Sequence, residues 1–268
     1  MIVIGVILFL MIGIILGLIG GGGSILAVPV LVYAFQLSAN DATSYSLFII
    51  GISSLIGAIV YLQKGELSIE AILKFALASM ITVFLVRKYL LSAIPAYFEA
   101  FHYTISKNYL IMLLFSLLTL ISSIVMIRNK KPNKTSKIKW DAFYKSPVGL
   151  PVIILMGVLV GLINGLLGVG GGFIIVPVIM FSMQLNFKKA IGTSLFIISL
   201  NSLIGFSINI PHQYINWFLL LGITSLCIIG IILGHYLSNK ISSTRLKPFF
   251  GWFTLCVGFF VIIKESFF

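Results

Sequence analysis

The chain has 268 residues, 60% of them hydrophobic and only 9% charged, with a mean hydropathy of +1.17. A soluble domain of this length carries about a quarter of its residues charged, so the composition excludes a water-soluble globular protein and points to an integral membrane protein. The net charge of +12 could suit nucleic acid, but the basic residues lie in short segments between apolar runs and form no basic domain, which excludes that class.

Apolar runs near or above the roughly 20 residues needed to cross a bilayer fall near 2–19, 42–62, 69–88, 109–127, 148–167, 190–210, 215–237 and 249–265. They are too long and too uniformly apolar for barrel strands, and lipid leaves no partner for an open backbone. Helices are the remaining solution. The expected fold is an all-α polytopic membrane protein. The first run lacks a charged segment before it, so it reads as a retained helix and not a signal peptide.

That run ends in Gly17-Leu18-Ile19-Gly20-Gly21-Gly22-Gly23-Ser24 and resumes as a short apolar piece through Pro29 to about Leu37. Each glycine costs a helix about 1 kcal/mol relative to alanine, and Pro29 removes one more helical hydrogen bond. Backbone broken in this way is tolerated at membrane depth only when covered by protein or facing water. Asn40-Asp41 reads as the N-cap of a helix from Ala42 to Leu62, and Lys64-Gly65-Glu66 as a turn. The next helix, Ile69 to Lys88, places Glu70 and Lys74 at the i,i+4 spacing of an ion pair. Leu90 to Asn108, with Pro95, reads as an interfacial segment and Tyr109 to Ile127 as a helix. Arg128 to Lys145 holds seven basic residues against Asp141 alone, the pattern of a cytoplasmic linker.

Beyond the linker the chain repeats itself. Gly165-Leu166-Leu167-Gly168-Val169-Gly170-Gly171-Gly172 and Pro177 stand 148 residues after Gly17 to Ser24 and Pro29. At that offset Ser46-Leu47-Phe48-Ile49-Ile50 meets Ser194-Leu195-Phe196-Ile197-Ile198, and Ser54-Leu55-Ile56-Gly57 meets Ser202-Leu203-Ile204-Gly205. The chain divides into repeat one (1–127), a basic linker (128–147) and repeat two (148–268). Each half has a glycine-broken hairpin plus about three transmembrane helices. Duplication of a glycine-broken apolar segment is a sequence pointer to a transporter's binding site. Gly230 and Gly234 form a small-xxx-small face that repeat one lacks. Arg87 and His235, also 148 apart, read as interfacial anchors at helix ends, with a gate or proton carrier as the alternative. His102 and His212 read as loop residues, and Cys227 and Cys256 as small apolar helical residues without metal-site spacing.

The charge distribution favours a hairpin at each glycine run. If the chain continued across the membrane there, basic residues would divide nearly evenly between the two sides. If it turns back, Lys64, the linker's seven, Lys188, Lys189, Lys240, Arg245 and Lys247 share one side, leaving Arg87, Lys88, Lys107 and Lys264 on the other. The second arrangement obeys the positive-inside rule and makes the halves inverted repeats with both termini outside.

The candidate site follows from the breaks. Glycine-rich turns expose backbone N–H groups, and helices restarting at Ser24 and Phe173 aim their N-termini at the break, so both devices favour anions. The candidate binding residues are Gly22, Gly23, Ser24 and Ser46 in repeat one, and Gly170, Gly171, Gly172, Thr193, Ser194 and Asn201 in repeat two. Almost no acids lie in the apolar runs, so a small anion suits the site better than a cation. No zinc-protease, paired-aspartate, Cys-His or phosphate-binding lysine motif is present. The reading is therefore not an enzyme, with no catalytic residue, metal or cofactor assigned. The competing class is a non-transporting membrane scaffold, which has no need of irregular backbone at membrane depth.

The pattern G-L-x-G-x-G-G-G/S-x-x-x-V-P-V followed by A-x-x-x-S-L-F, written twice, resembles the TauE/SafE family of sulfite exporters. It is carried by Gly20, Gly22, Gly23, Pro29, Ala42 and Ser46, and by Gly168, Gly170, Gly171, Gly172, Pro177, Ala190, Thr193 and Ser194. Ser24 departs from the glycine usual in the triplet. The resemblance implies a multi-pass protein of the plasma (inner) membrane, exporting sulfite, sulfoacetate or a related sulfur or organic anion. Its implied partners are the small anion and the lipid bilayer, with no nucleic acid and with homo-oligomerisation open. Alternating access without direct use of ATP is the expected mechanism, coupled to protons or to membrane potential.

Overall fold

The computed structural model describes residues 2–90, 93, 97–100, 103–128, 149–167, 170–183, 185–209, 215–241 and 243–267. Most of the linker, together with His102 and His212, lies outside them. Repeat one runs α1 (Ile2–Ile19), α2 (Ser24–Phe35), α3 (Ala39–Gln63), α4 (Ile69–Leu90), a short hairpin of β1 (Tyr97–Ala100) and β2 (Tyr103–Ser106), and α5 (Lys107–Arg128). Repeat two runs α6 (Gly149–Leu167), α7 (Gly172–Ser182), α8 (Phe187–Asn209), α9 (Trp217–Lys240) and α10 (Ser243–Phe267). Among the described residues, five helices are long and apolar enough to cross a membrane: α3, α4, α6, α8 and α9. The protein is an all-α polytopic membrane protein, the β-hairpin being a small insertion in the segment read as interfacial.

Local chemistry accounts for most helix ends. The α3 helix begins ahead of the expected Asn40-Asp41 cap, because Ser38 takes that role. Its hydroxyl accepts the Asp41 N–H at 3.2 Å and donates to the Asp41 carboxylate at 2.7 Å, a capping box in which Asp41 serves as the acid of the first turn. Gly65, at φ +68°, makes the expected turn. Glu70 and Lys74 form the expected ion pair on α4, at 2.6 Å.

Contacts between helices set their directions. The α2 helix folds back along α1: Gly5 packs on Ala34 and Phe35, while Gly23 packs on Ile12 and Leu16. The first glycine run is therefore the tip of a hairpin. Two central helices, α3 and α8, cross antiparallel, with Gly57 on Leu195, Gly51 on Leu203 and Gly205 on Leu47. The first and last of these contacts are the same contact displaced by 148 in each chain segment. Likewise α5 and α10 run antiparallel, through Gly251 on Ile127 and Gly258 on Leu120.

The outer pairs exchange partners between halves. Gly13 and Gly17 of α1 rest on the Cys227–Gly230 and Ile231–His235 backbone of α9. At the same offset, Gly161 and Gly165 of α6 rest on Ser79 and Thr82, and on Val83 and Val86, of α4. Each half thus lays its first helix against the other half's fourth. Antiparallel pairing of equivalent helices is compatible with halves inserted in opposite senses. Small residues permit these approaches in lipid, where van der Waals packing replaces the hydrophobic effect.

The glycine pair of α9 works as its spacing suggests. A methyl group at Gly230 or Gly234 would overlap the Leu10 or Ile14 carbonyl, whereas Gly222 has open space before it. Gly230→Leu is expected to destabilise the purified protein by about 1–3 kcal/mol or more, as overpacking does, and Gly222→Leu to change it by less than about 0.5 kcal/mol. Thermal melts in detergent check both values, and equal melts would remove the assigned α1–α9 contact.

Candidate functional site

The two glycine breaks meet. Gly21 and Gly172 approach so closely that a methyl group on either would overlap the other's backbone. Each tip depends on left-handed backbone, at Gly20 (φ +80°) and at Gly170 and Gly171 (φ +75° and +62°). Residues with a Cβ rarely adopt that conformation. Ser194 of α8 clasps the first tip, its hydroxyl lying 3.1 Å from the Gly20 carbonyl and 2.8 Å from its own Ile191 carbonyl. Ser24 closes the same turn by donating to the Gly21 carbonyl at 2.7 Å. Around the second tip, a methyl at Gly170 would sit 3.1 Å from Ile50 and 3.3 Å from the Ser202 hydroxyl. One at Gly171 would sit 2.8 Å from the Asn164 side chain.

The expected site residues therefore divide into two sets. Gly22, Gly23, Ser24, Gly170, Gly171, Gly172 and Ser194 are brought to the crossing of the tips, and Gly22 faces Phe250 and Phe253 of α10. Thr193 and Asn201 instead hold α4. The Thr193 hydroxyl oxygen accepts the Ser68 N–H at 3.0 Å, and Asn201 pairs with the Ser79 hydroxyl at 3.2 Å. The Thr193 contact has its counterpart 148 residues away, where the Tyr45 hydroxyl accepts the Asn216 N–H at 2.7 Å. Ser46 is fully buried, and its hydroxyl has no hydrogen-bond partner among the described residues. Ser202, not among the expected site residues, shares both properties.

Arg87 and His235 are not the interfacial anchors expected of them. Both are only 4% exposed, because the close packing of α4 on α6 and of α9 on α1 encloses these positions. His235 meets the Tyr61 ring edge-on at 4.4 Å, and Tyr61 donates to the Gly17 carbonyl at 2.9 Å. Both ring nitrogens of His235, and Nε and Nη2 of Arg87, lack partners among the described residues. An unpaired buried charge costs several kcal/mol, and an ionisable residue inside a membrane is by default a functional-site hypothesis. A five-residue π-turn, Val86–Leu90, carries Arg87, whereas α9 has no such turn. Of the two cysteines, Cys227 is buried and Cys256 is exposed.

The sequence profile of the sulfite exporter TauE/SafE family matches residues 5–261, taking in both breaks. The chain belongs to this family. It is similar, at 28% identity over 95% of its length and 92% of the relative's, to a "Probable membrane transporter protein" of Xylella fastidiosa. A Bacillus subtilis relative of the same description, YunE, is 25% identical over 99% of this chain and 98% of its own. A Methanocaldococcus jannaschii relative is 35% identical over 40% of this chain and 42% of its own. No solved structure matches significantly. As a TauE/SafE member, the protein is a multi-pass membrane transporter.

Among the described residues, Ser194 hydrogen-bonds the second half to the first tip. Ser194→Ala is expected to lower stability by about 1 kcal/mol, the net worth of a buried hydrogen bond. Gly172→Ala, which drives a methyl into Gly21, is expected to lower it by more. Chemical unfolding monitored by intrinsic fluorescence gives the order, and a neutral Gly172→Ala would contradict the tip contact.

Proposed function

We propose that this transporter is a secondary carrier of a small anion, most simply sulfite, a sulfonate such as sulfoacetate, or a related sulfur or organic anion. The observation that carries the reading is the junction of two glycine tips among fully buried hydroxyls, beside a buried cation and away from paired acids. Backbone amides at such turns attract negative charge, while a cation would need the carboxylates or carbonyl rings that the apolar runs do not supply. The family description supports sulfite, and the relatives' description as membrane transporters supports transport over a scaffold role. The anion would lie near Gly22, Gly23, Gly170 and Gly171, with Ser46 and Ser202 offering hydroxyls.

Rocking of inverted halves about α3 and α8 would expose this junction to each side in turn. The charge distribution supports a cytoplasmic linker, and the family description supports export as the direction, which would place the protein in the plasma membrane. Nothing in this reading calls for catalytic chemistry, and no residue is assigned to any.

Purified protein in liposomes is expected to carry sulfite or sulfoacetate down an imposed gradient and not to carry sodium or potassium. Gly22→Leu and Gly170→Leu, at normal protein levels, are expected to reduce that flux at least about tenfold, the cost of a roughly 1.4 kcal/mol loss of site geometry. Anion flux unaffected by both changes, or flux of cations alone, would falsify the reading.

A further inference from the structure

We propose that Arg87 is the fixed positive charge of the anion site and holds a small oxyanion through the fork of its guanidinium, with Ser202 contributing a hydroxyl. The inference rests on the anion-carrier reading and adds to it a binding residue and a substrate geometry. Four observations carry it. The side chain is 4% exposed, and Nε and Nη2 have no partner among the described residues. Of six carboxylates in the chain, none forms an ion pair with it among the described residues, where the one ion pair is Lys74–Glu70. The π-turn Val86–Leu90 places it on α4 where the equivalent helix of repeat two is regular. Finally, it packs on Gly205, three residues along α8 from Ser202, which borders the second glycine tip.

That position is built from contacts on three helices. A methyl at Gly205 of α8 would sit 3.3 Å from both Cδ and Nε of Arg87, so the absence of a side chain there leaves the guanidinium room. Ser202 lies on the same α8 face, three residues and about 4.5 Å of helix axis earlier, and its hydroxyl borders Gly170. The neighbouring Val86 packs on Gly165 of α6, next to Asn164, which in turn borders Gly171. The Ser202 hydroxyl thus borders the left-handed turn that exposes backbone amides, and Nε lies beside Gly205, about one helical turn further along α8. None of these buried donors is matched by an acceptor among the described residues.

The residue type matters as well as the charge. The chain carries 15 lysines and three arginines, Arg87, Arg128 and Arg245; the buried position takes an arginine. Guanidinium presents parallel N–H groups that match two oxygens of one anion, which an ammonium cannot do. The expected ligand is therefore a carboxylate, sulfite or sulfonate, and a monatomic halide is disfavoured. At the equivalent position repeat two has His235, so the fixed charge belongs to one half only.

Isothermal titration of the purified protein with sulfite, sulfoacetate and chloride, alongside liposome flux of the same anions, tests the assignment. Arg87→Gln is expected to weaken oxyanion binding at least about 30-fold, as loss of one partner of a buried charge pair does. Arg87→Lys is expected to weaken it about tenfold, since the charge stays and the fork is lost. Ser202→Ala should weaken it less, and Lys74→Gln, a surface charge on the same helix, should leave it unchanged. If Arg87→Gln does not fold, the lysine variant decides. Wild-type affinity in either Arg87 variant, in protein that binds oxyanions, overturns this inference alone. Failure of the wild-type protein to bind or carry any of the anions overturns the anion-carrier reading and this inference with it.

Discussion

A backbone that stops being helical inside a bilayer must find cover, because lipid satisfies none of its amides or carbonyls. Here each glycine break covers the other. Gly21 and Gly172 touch, Ser194 takes up the Gly20 carbonyl, and Ser24 returns to Gly21. Much of the rest of the molecule maintains that contact. The α3 and α8 helices cross beside the tips, and the α1–α9 and α4–α6 pairs enclose them. A side chain at either contact glycine would separate the halves at the junction of the two breaks.

The two halves share their packing and differ in their chemistry. Thr193 receives the N-terminus of α4 just as Tyr45 receives that of α9, and the glycines of α1 and α6 settle on equivalent turns of the opposite half. Side chains at other equivalent places diverge. Ser79 and Asn201 hydrogen-bond to one another, while the residues 148 away are Cys227 and Ser53. Gly230 and Gly234 correspond by the 148-residue offset to Thr82 and Val86, and His235 to Arg87. In the proposed carrier, such a shared frame would let two orientations of similar energy exist. Unequal side chains would give that carrier's site a charge on one side, suited to holding a solute of one sign.

Several buried polar groups among the described residues lack partners. Ser46, Ser202, Arg87 and His235 all have buried atoms without a hydrogen bond among the described residues. In the interior of a membrane protein such groups are costly, and they persist where a ligand or a second conformation supplies what is missing.

Much of the architecture was legible in the sequence, and for definite reasons. Bilayer thickness converts apolar run length into helices. A fixed offset of 148 reveals two halves, and four successive glycines cannot continue a helix, while the basic residues favoured a hairpin over a continuous crossing. Local signals erred where competing caps lay within a turn of each other, as Ser38 did ahead of Asn40 and Asp41. Contacts across the repeats were not legible, because they join residues more than a hundred positions apart through packing alone. Only the tertiary structure seats Gly21 on Gly172, commits Thr193 and Asn201 to holding α4, and buries Arg87 between helices when its place near a helix end suggested the membrane surface. Run length and charge determine how a chain is inserted into lipid. Which of its few polar side chains face one another is decided by how closely the inserted helices can approach.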